Sequence, residues 1–433
     1  MRVIVATGLN SGSAEYRNMG DVAMLQVAVA RLRELWPNAQ IDVLTESAQD
    51  LDCYCPGAVA IPCEGCRCWA ADQILLGQFH RFLPEPISTQ LSSLKRTARR
   101  RWPALLERLI RFRVGLRNRI DRRRSFDEFI QALRSSDLFV FCGAGGFDDH
   151  CREWNLSTLN NIEVALDRGI TVALVGQGMG PLSDPPVLAR ARNIFPRVDL
   201  ISLRGGPGGP ALLRSLLVDA ARVLTTGDEA VEIGYEARQK ELGKAVGINL
   251  RAASYSSVSR DMADMLRPVL HEFARRHNVP LIPVPIAFHA AANDHLTIRQ
   301  LLQGFDDHSD GGITLDTPLK VIRQVGHCRI VVTGAYHAAV FALAQGIPTI
   351  CLSNSAYYDE KFNGLQNLFG AGCSVLTLSH PAFPQNLSAA IDESWDGAPR
   401  LRGPLLASAR DQIERSRAAY MQIKKMLTQK SQN

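Results

Sequence analysis

The chain has 433 residues, of which 46% are hydrophobic and 7% aromatic, and its formal net charge is +6 at pH 7. This composition is typical of a soluble globular protein, and the length suits two domains of roughly 200 residues each better than one core. No window approaches the ~18 apolar residues of a membrane span, and Met1 leads directly into a strand-like segment without a signal-peptide pattern, so the sequence predicts a cytoplasmic protein.

The first half of the chain alternates short apolar runs with amphipathic segments. This order predicts parallel βαβ units with right-handed crossovers. The predicted strands are Val3–Thr7, Ile41–Leu44, Leu138–Cys142, Thr171–Val175 and Leu200–Leu203, and the predicted helices are Val22–Leu35, Glu153–Asp167 and Pro186–Asn193.

An Arg-rich insertion at about residues 50–130 interrupts the alternation. Between Lys95 and Arg124, thirteen Lys or Arg residues stand against two acidic residues, which gives a local charge of +11. Pro103 can be the first residue of a helix, and the apolar residues after it recur at three-to-four spacing, which predicts an amphipathic helix. These apolar residues are Leu106, Leu109, Ile110, Leu116 and Ile120.

A basic amphipathic helix of this kind suits an anionic membrane surface or a polyanion. The first of these partners would place the protein peripherally at the inner face of the membrane. An equally good interpretation is a helix packed on the first domain with a solvated arginine face. Nucleic acid is not expected as a partner, because aromatic residues are sparse among the arginines and no known reader motif is present.

The ten cysteines do not form a disulfide framework. Five lie in or beside apolar strands, where reduced cysteines act as small hydrophobes. The other five crowd into residues 53–68, where Cys63 and Cys66 form half of a zinc motif without a second pair about 12 to 20 residues away. This spacing favours reduced cysteines over a structural metal. The five cysteines near strands are Cys142, Cys151, Cys328, Cys351 and Cys373.

The strand and helix pattern restarts after a charged stretch, residues 236–244, that reads as a linker. We therefore predict an α/β fold with two Rossmann-like domains, residues 1–235 and 245–433, facing across a cleft, with the last helix crossing back onto the first half. The predicted strands here are Ala245–Leu250, Leu281–Pro285, Ile330–Thr333 and Thr349–Ser353, and the predicted helices are Asp261–His277, Thr297–Gln303, one that begins at His337, and about Leu406–Gln429.

The most informative stretch is residues 330–361. It reads as a buried strand, a glycine turn, a helix beginning at His337, a second strand and a polar loop ending in Lys361. The unpaired backbone N–H groups of such a helix start favour an anion at the carboxyl edge of the sheet. His337 is therefore expected beside a phosphorylated ligand; the alternative is a histidine that only begins the helix.

Other motifs also stand at predicted strand ends. The glycines of Gly143-Ala-Gly145-Gly146 and Gly176-Gln177-Gly-Met-Gly-Pro181 are expected in turns, where their backbone N–H groups can approach an anion. Arginines at strand ends suit carboxylate or phosphate recognition. Asp21 is either a site carboxylate or the cap of its helix. The polar residues at strand ends are Asn18, Asp21, Arg204, Asp228 and Arg251.

Taken in order, these motifs resemble those of the polysaccharide pyruvyl transferase family. The resemblance covers nearly the whole chain except the insertion. It implies a fold like the two-domain glycosyltransferase-B type, a phosphoenolpyruvate donor and a pyruvate ketal on a sugar hydroxyl pair in cell-surface polysaccharide or lipid-linked precursor assembly. The residues that match are Asn18, Asp21, Arg204, Asp228, Arg251, His337 and Lys361.

Two positions depart from the family pattern. The family typically has Ser-x-Arg-x-His where this chain has Thr333-Gly-Ala335-Tyr-His337, without the arginine. The Ser-Leu-Arg motif usually continues into an acidic residue, and here Gly205 follows. Either another basic residue, such as Arg323, Arg329 or one from the insertion, replaces the missing guanidinium, or the substrate has changed.

Phosphoenolpyruvate chemistry requires two cationic groups for its carboxylate and phosphate, and an acid that protonates its methylene carbon. We predict His337 as the proton-transfer residue, Asp21 or Asp228 as base, and a sugar or lipid-linked sugar as acceptor; no step needs a metal or a further cofactor. The predicted substrate contacts are Asn18, Gly20, Gly145, Gly146, Gln177, Arg204, Arg251, Gly334 and Lys361.

Two other classes of function fit the same pattern. One is a nucleotide-sugar-dependent glycosyltransferase of the same architecture, in which His337 and the glycine turns hold a diphosphate. The other is a sugar-binding or membrane-binding protein without catalytic activity, in which replacing His337 or Arg204 would change no activity.

Overall fold

The computed structural model describes residues 1–7, 18–70, 85–116, 120–289 and 292–432. Within these residues, seven parallel strands form one sheet in the order β3-β2-β1-β4-β5-β6-β7. The strands are β1 (Arg2–Thr7), β2 (Gln40–Thr45), β3 (Val59–Pro62), β4 (Leu138–Phe147), β5 (Thr171–Met179), β6 (Leu200–Leu203) and β7 (Val223–Thr225).

The helices of the first sheet cover both of its faces, as parallel βαβ crossovers require. They are α1 (Met19–Leu35), α2 (Ala48–Tyr54), α3 (Cys63–Ala70), α4 (Glu85–Arg101), α5 (Pro103–Leu116), α6 (Ile120–Ser135), α7 (Arg152–Asp167), α8 (Pro185–Ile194), α9 (Gly208–Ser215) and α10 (Ala230–Glu236).

A second sheet follows residues 237–244 and contains five parallel strands in the described residues, in the order β14-β13-β12-β8-β9. A short antiparallel pair, β10 with β11, stands beside it. The strands are β8 (Ala245–Asn249), β9 (Leu281–Pro283), β10 (Phe288–His289), β11 (Ala292–Asn293), β12 (Cys328–Thr333), β13 (Thr349–Ser353) and β14 (Cys373–Thr377), and the helices are α11 (Ala263–His277), α12 (Asp294–Leu302), α13 (Pro318–Val325), α14 (Tyr336–Ala344), α15 (Ala356–Phe369) and α16 (Phe383–Gln432).

Both sheets reverse their strand order at one point, between β1 and β4 in the first and between β8 and β12 in the second. In open parallel sheets, ligands bind in the crevice outside the carboxyl ends of the strands at such a point. The predicted α/β architecture of two Rossmann-like domains is confirmed, and the two reversal points define where a site belongs.

The last helix, α16, joins the two cores. Its first part, with Phe383, packs in the cluster beneath the second sheet, whereas its later part, with Tyr420, packs in a cluster shared with α1. Tyr420 donates a hydrogen bond of 2.7 Å to Glu229 Oε2, and Ser416 donates one of 2.7 Å to Glu229 Oε1. The helix is longer than predicted because it continues through Pro399 and Pro404.

The Arg-rich insertion is packed on the first domain. The helix predicted to begin at Pro103 is present as α5, and Leu106 and Ile110 are buried as expected. Leu109 is 51% exposed, so the predicted apolar stripe is wrong at that position. The side chains of Leu116 and Ile120 lie outside the described part of the chain. Among the helices of the described residues, none combines the length and apolar content that a bilayer crossing requires.

Two glycine motifs predicted as turns belong to strands instead. Strand β4 continues through Gly145 and Gly146 to Phe147, and β5 continues through Gln177 to Met179. The two strands remain paired there, with an irregular register between Ala144 and Phe147. The prediction failed because glycine is disfavoured in strands on average, and sequence alone does not show that a close neighbour requires it.

Candidate active site

A cavity of about 110 Å³ lies at the carboxyl ends of both sheets, beside the two reversal points. Its walls come from the segments after β1 and β8, from β4 and the end of β6, and from helices α14 and α15. The described residues that line it are Asn18, Asp21, Gly145, Arg204, Arg251, Tyr255, Ile286, Tyr336, His337, Tyr357, Tyr358 and Lys361.

Direct contacts between the two domains close this cavity. The N–H of Met19 donates to the carbonyl of Ile286 at 2.8 Å, at the start of α1. The hydroxyl of Tyr357 donates to the carbonyl of Gly145 at 2.6 Å. Both contacts join strand ends of one domain to a segment of the other, so the site is complete only when the two domains are together.

His337 occupies the first turn of α14, as predicted, and is 6% exposed. Its Nε2 atom lies 3.6 Å from Asp228 Oδ2 and has no hydrogen-bond partner among the described residues. The His337 imidazole therefore lies at ion-pair distance from a carboxylate and also lines the cavity. This arrangement suits a group that gains and loses a proton.

Gly20 makes room for the His337 ring. A Cβ atom at Gly20 would overlap the imidazole, at Cγ and Nδ1. Gly20 was predicted as a substrate contact, but it is not among the described residues that line the cavity, and its N–H donates to Asn18 Oδ1 at 3.0 Å in the first turn of α1.

We expect Gly20→Ala to displace His337 and to lower the free energy of unfolding by about 1–3 kcal/mol, the usual cost of overpacking. Denaturant unfolding measures the change. The matched control is Gly403→Ala, because a Cβ there meets nothing within 4 Å and alanine suits a helix better than glycine. Equal stability of the two variants would contradict the close approach of Gly20 and His337.

Asp228 is buried and held ionised. Burial alone would raise its pKa, but the contact with His337, the Arg204 guanidinium and the N–H of Ala230 outweigh it and hold the pKa of Asp228 below its ordinary value. The Ala230 N–H donates to Oδ1 at 2.9 Å, and Arg204 Nη1 lies 3.4 Å from Oδ2. Asp228 therefore orients His337 and Arg204 as a fixed negative charge.

Arg204 is 3% exposed and reaches the cavity from the end of β6. Its guanidinium carbon stands 4.3 Å from the centre of the Tyr336 ring, a cation–π geometry that holds the group in place. A Cβ at Gly178 would lie 2.8 Å from Arg204 Nε, and one at Gly145 would overlap Nη2. Because these two glycines in β4 and β5 have no side chain, they leave the space that the Arg204 guanidinium occupies.

Lys361 lies on α15, so the predicted polar loop at this point is wrong. The helix is capped by Ser355, whose side chain accepts the Tyr358 N–H. Lys361 donates a hydrogen bond to the hydroxyl of Tyr357, one turn earlier. Burial, followed by the positive charge of Arg204, lowers the pKa of Lys361 well below its ordinary value, although the carboxylates of Asp148 and Asp21 oppose this.

Asp21 lines the cavity from the first turn of α1. Burial raises the pKa of its carboxyl above the ordinary value, against the positive charges of His337, Arg204 and Lys361. A carboxylate with a raised pKa is a stronger base than an ordinary aspartate. The alternative role, as the cap of α1, belongs to Asn18 instead.

Arg251 lines the cavity, but its guanidinium already makes hydrogen bonds within the protein. Nε and Nη2 donate to the two oxygens of Asp294 at 2.6 and 2.8 Å, and Nη1 donates to the Tyr255 hydroxyl at 3.2 Å. Asp294 also accepts the backbone N–H groups of Ile286 and Ala287. Arg251 therefore braces the segment that contacts α1. It lines the cavity as predicted, but its guanidinium is paired with Asp294 rather than available as a donor clamp.

Besides Gly20, three other predicted substrate contacts are not among the described residues that line the cavity. Gln177 is buried and donates to the carbonyls of Phe141 and Val175 at 3.0 and 2.8 Å. Gly146 faces the Trp154 ring, and Gly334 lies against the backbone of Arg251. These residues shape the walls rather than reach a ligand.

The position of the missing family arginine is filled by the buried side chain of Ala335, and neither Arg323, Arg329 nor an arginine of the insertion is among the described residues that line the cavity. Arg329 donates to the carbonyl of Trp395 at 2.9 Å, and Arg323 lies on an exposed face of α13. Among the described lining residues, Lys361 is the cation that accompanies Arg204, since Arg251 is neutralised by Asp294.

The aromatic wall of the site, formed by Tyr255, Tyr357 and Tyr358, was not predicted from the sequence. Tyr255 and Tyr358 stack with ring centroids 6.3 Å apart and planes at 12°, and Tyr357 packs edge-on against both. Tyr357 and Tyr358 stand four and three residues before Lys361, so a helix prediction for this segment would have placed both rings on the same face as the lysine. Asp294 was missed because its partner Arg251 lies 43 residues away.

The cysteines of residues 53–68 stand apart from this cavity. All ten cysteines of the chain are unpaired. Burial raises the pKa of the Cys66 thiol to about 12 and that of Cys68 to about 11. In the described residues, no group of three or more His, Cys, Asp or Glu side chains has the arrangement of a metal site.

The sequence profile of a family described as polysaccharide pyruvyl transferase matches residues 18–356. No curated protein sequence matches the chain.

Solved structures with low sequence identity share the fold. UDP-GlcNAc 2-epimerase from Neisseria meningitidis, bound to UDP-GlcNAc, has a TM-score of 0.54 and 12% identity over 99% of this chain and 100% of that one. The Staphylococcus aureus MnaA–UDP co-structure has a TM-score of 0.53 and 13% identity over 99% and 97%. Anabaena HepE in complex with UDP and glucose has a TM-score of 0.50 and 11% identity over 99% and 100%. These similarities show a fold of the glycosyltransferase-B type.

Proposed function

This chain belongs to the polysaccharide pyruvyl transferase family and is a transferase, and we propose that it moves the three-carbon group of phosphoenolpyruvate onto a pair of sugar hydroxyls as a ketal, with release of phosphate. The observation that carries the proposal is the grouping of Arg204, Lys361 and the His337–Asp228 pair around one small cavity.

The size and charge of the cavity support a small anionic donor. Its volume of about 110 Å³ is below the roughly 300–1,000 Å³ of pockets that enclose larger ligands. Phosphoenolpyruvate carries a carboxylate and a phosphate on three carbons. Arg204 and Lys361 offer one cation for each. Helix α14 begins next to them, at Tyr336, whose ring centre lies 4.3 Å from the Arg204 guanidinium carbon and 5.8 Å from Lys361 Nζ.

The first chemical step adds a sugar hydroxyl across the enol double bond. His337 gives a proton to the methylene carbon, which becomes a methyl group, and the neighbouring carbon becomes electrophilic. The hydroxyl oxygen bonds to that carbon and passes its proton to Asp21, whose raised pKa makes it the better base. Asp228 is held ionised and stabilises the protonated form of His337.

The second step exchanges phosphate for the second hydroxyl. The carbon–oxygen bond to phosphate breaks with its electron pair, Arg204 and Lys361 stabilise the departing phosphate, and the phosphate takes the proton that Asp21 accepted in the first step. The second hydroxyl oxygen bonds to the same carbon and passes its proton to His337, which restores the starting protonation of both residues. The net change joins two sugar oxygens to one carbon and releases one inorganic phosphate.

The aromatic wall supports a sugar as the acceptor. Tyrosine rings present apolar faces and polar edges, which suits a sugar ring with its mixture of C–H and hydroxyl groups. Tyr255, Tyr357 and Tyr358 line the cavity together, on the side formed by the second domain. We propose that the acceptor is a glycan or a lipid-linked sugar that packs against these tyrosines and extends its hydroxyl pair into the cavity.

A nucleotide-sugar-dependent glycosyltransferase is the second candidate, and the replacement of the family arginine by Ala335 is the observation that favours it. Calorimetric titration separates the two candidates without any acceptor. We expect phosphoenolpyruvate to bind the purified protein and UDP-N-acetylglucosamine not to bind. Binding of UDP-N-acetylglucosamine together with no binding of phosphoenolpyruvate would favour the glycosyltransferase.

The lowered pKa of Lys361 predicts a pH dependence of donor binding. An anionic donor prefers the protonated lysine, so affinity should be greatest at low pH and fall as pH rises through the lowered pKa. The measurement is the dissociation constant of phosphoenolpyruvate between about pH 6 and about pH 9. Lys361→Arg is the matched control, because arginine stays charged over this range and should flatten the profile. An unchanged profile in this variant would remove Lys361 from donor binding.

A further inference from the structure

Helix α5 presents an apolar face to solvent. Trp102, Leu105, Leu109 and Phe112 are 58%, 56%, 51% and 68% exposed. Their spacing of three and four residues places them along one side of the helix, with Trp102 immediately before its first turn. We call these four side chains the α5 apolar face.

Another side of the same helix is already packed. Leu106, Ile110 and Val114 are buried in the core cluster of the first domain, which also contains Phe126 and Phe129 of α6. Folding of the domain therefore does not need the α5 apolar face. Four large apolar side chains on one face, more than half exposed, indicate a surface that meets another apolar phase.

Unpaired positive charge borders this face. Arg100 and Arg101 at the end of α4 and Arg108 on α5 are exposed and make no ion pair within the part of the chain that the structure describes. Arg108 lies within one turn of Leu105, Leu109 and Phe112.

Other arginines of the insertion are neutralised. Arg99 pairs with Glu163 at 2.7 Å, Arg124 pairs with Glu128 at 2.9 Å, and Arg122 pairs with Glu64. Arg100, Arg101 and Arg108 therefore place positive charge, without an ion pair among the described residues, next to the α5 apolar face.

We propose that the α5 apolar face docks on the surface of a lipid bilayer rich in anionic lipid. A helix lying in the bilayer interface places apolar residues among the acyl chains and basic residues at the phosphates, and tryptophan is enriched at that depth. The combination of Trp102 and Phe112 with flanking Arg101 and Arg108 matches this pattern. A nucleic acid would leave the four apolar side chains without a partner.

The docking does not depend on the donor proposed for the cavity. The α5 apolar face belongs to the insertion, and none of its four residues is among the described residues that line the cavity. The docking would hold the protein at a membrane surface, where a lipid-linked acceptor would be concentrated.

Vesicle flotation of the full-length protein tests the docking. We expect binding to vesicles of phosphatidylcholine mixed with phosphatidylglycerol at about 50 mM salt, at least about tenfold less binding at about 500 mM salt, and little binding to phosphatidylcholine alone. Reversing three charges (Arg100→Glu, Arg101→Glu, Arg108→Glu) should reduce binding at least about tenfold, and so should Leu109→Ser with Phe112→Ser.

Matched controls separate docking from general charge and hydrophobicity. Exposed arginines elsewhere (Arg192→Glu, Arg214→Glu, Arg400→Glu) change the net charge equally, and Ile313→Ser with Met421→Ser removes two side chains that are 50% and 54% exposed. Both control proteins should bind vesicles like the wild type, and thermal melting should show that every variant is folded.

Three results would overturn the proposal. The first is a wild-type protein that ignores anionic vesicles at low salt. The second is an equal loss of binding in the control variants. The third is a wild-type dimer in sedimentation velocity that becomes a monomer in Leu109→Ser with Phe112→Ser while vesicle binding is unchanged, which would assign the face to a second copy of the chain.

Discussion

Replacing His337 by alanine should reduce turnover at least about 10²-fold, the usual scale for losing a group that transfers a proton in the transition state. The imidazole lines the cavity, faces Asp228 at 3.6 Å and stands at the start of α14, where the donor phosphate is expected. Phosphate release from phosphoenolpyruvate in the presence of sugar acceptors with free hydroxyl pairs measures the effect.

The control for this variant is His271→Ala. His271 is also 6% exposed, its Nε2 atom lies 2.8 Å from the carbonyl of Leu301, and neither residue is among the described residues that line the cavity. That variant should lose stability but keep its turnover per folded molecule. If the purified His337→Ala variant is folded and its turnover equals that of the wild type, His337 takes no part in proton transfer and only begins the helix.

Arg204→Lys should weaken donor binding about 10-fold to 100-fold and leave acceptor binding nearly unchanged. Lysine keeps the charge but loses the planar fork, and one charge-assisted hydrogen bond contributes about 1.5–3 kcal/mol. The shorter side chain also loses its position over the Tyr336 ring, 4.3 Å from the guanidinium. Separate apparent Michaelis constants for donor and acceptor measure the two effects.

Arg31→Lys is the matched control for this change. Arg31 is 4% exposed and donates through Nε to Glu232 at 2.7 Å, so it is a buried, ion-paired arginine outside the cavity. Its replacement should lower stability and leave both Michaelis constants alone. A rise confined to the acceptor constant in Arg204→Lys would assign this arginine to the acceptor instead.

The strand and helix pattern was sufficient to predict the α/β architecture and much of the cavity. Strand β13 and the start of α14 lie where the buried run Thr349–Ser353 and the glycine before His337 indicated. Side chains that follow parallel strands must meet at one edge of a sheet, which is why Asp21, Arg204 and His337 were brought together correctly.

Other features depend on contacts between distant segments, which sequence spacing does not show. The glycines of β4 and β5 looked like turns because nothing local reveals that Arg204 needs their space. Arg251 looked free because Asp294, which accepts hydrogen bonds from Nε and Nη2 of its guanidinium, comes from helix α12, 43 residues along the chain. Leu109 fitted a buried helical spacing, but α5 packs through Leu106 and Ile110 and turns Leu109 to solvent.

A transfer assay with two labels identifies the donor. Phosphoenolpyruvate labelled separately in its carbons and its phosphorus is incubated with the protein and with glycans and lipid-linked sugars extracted from the source cells. If phosphoenolpyruvate is the donor, we expect the carbon label to enter an acid-labile sugar product and the phosphorus label to appear as inorganic phosphate in equal amount. Transfer of a labelled sugar from a nucleotide sugar to the same extract, with both labels left on phosphoenolpyruvate, would contradict this assignment of the donor.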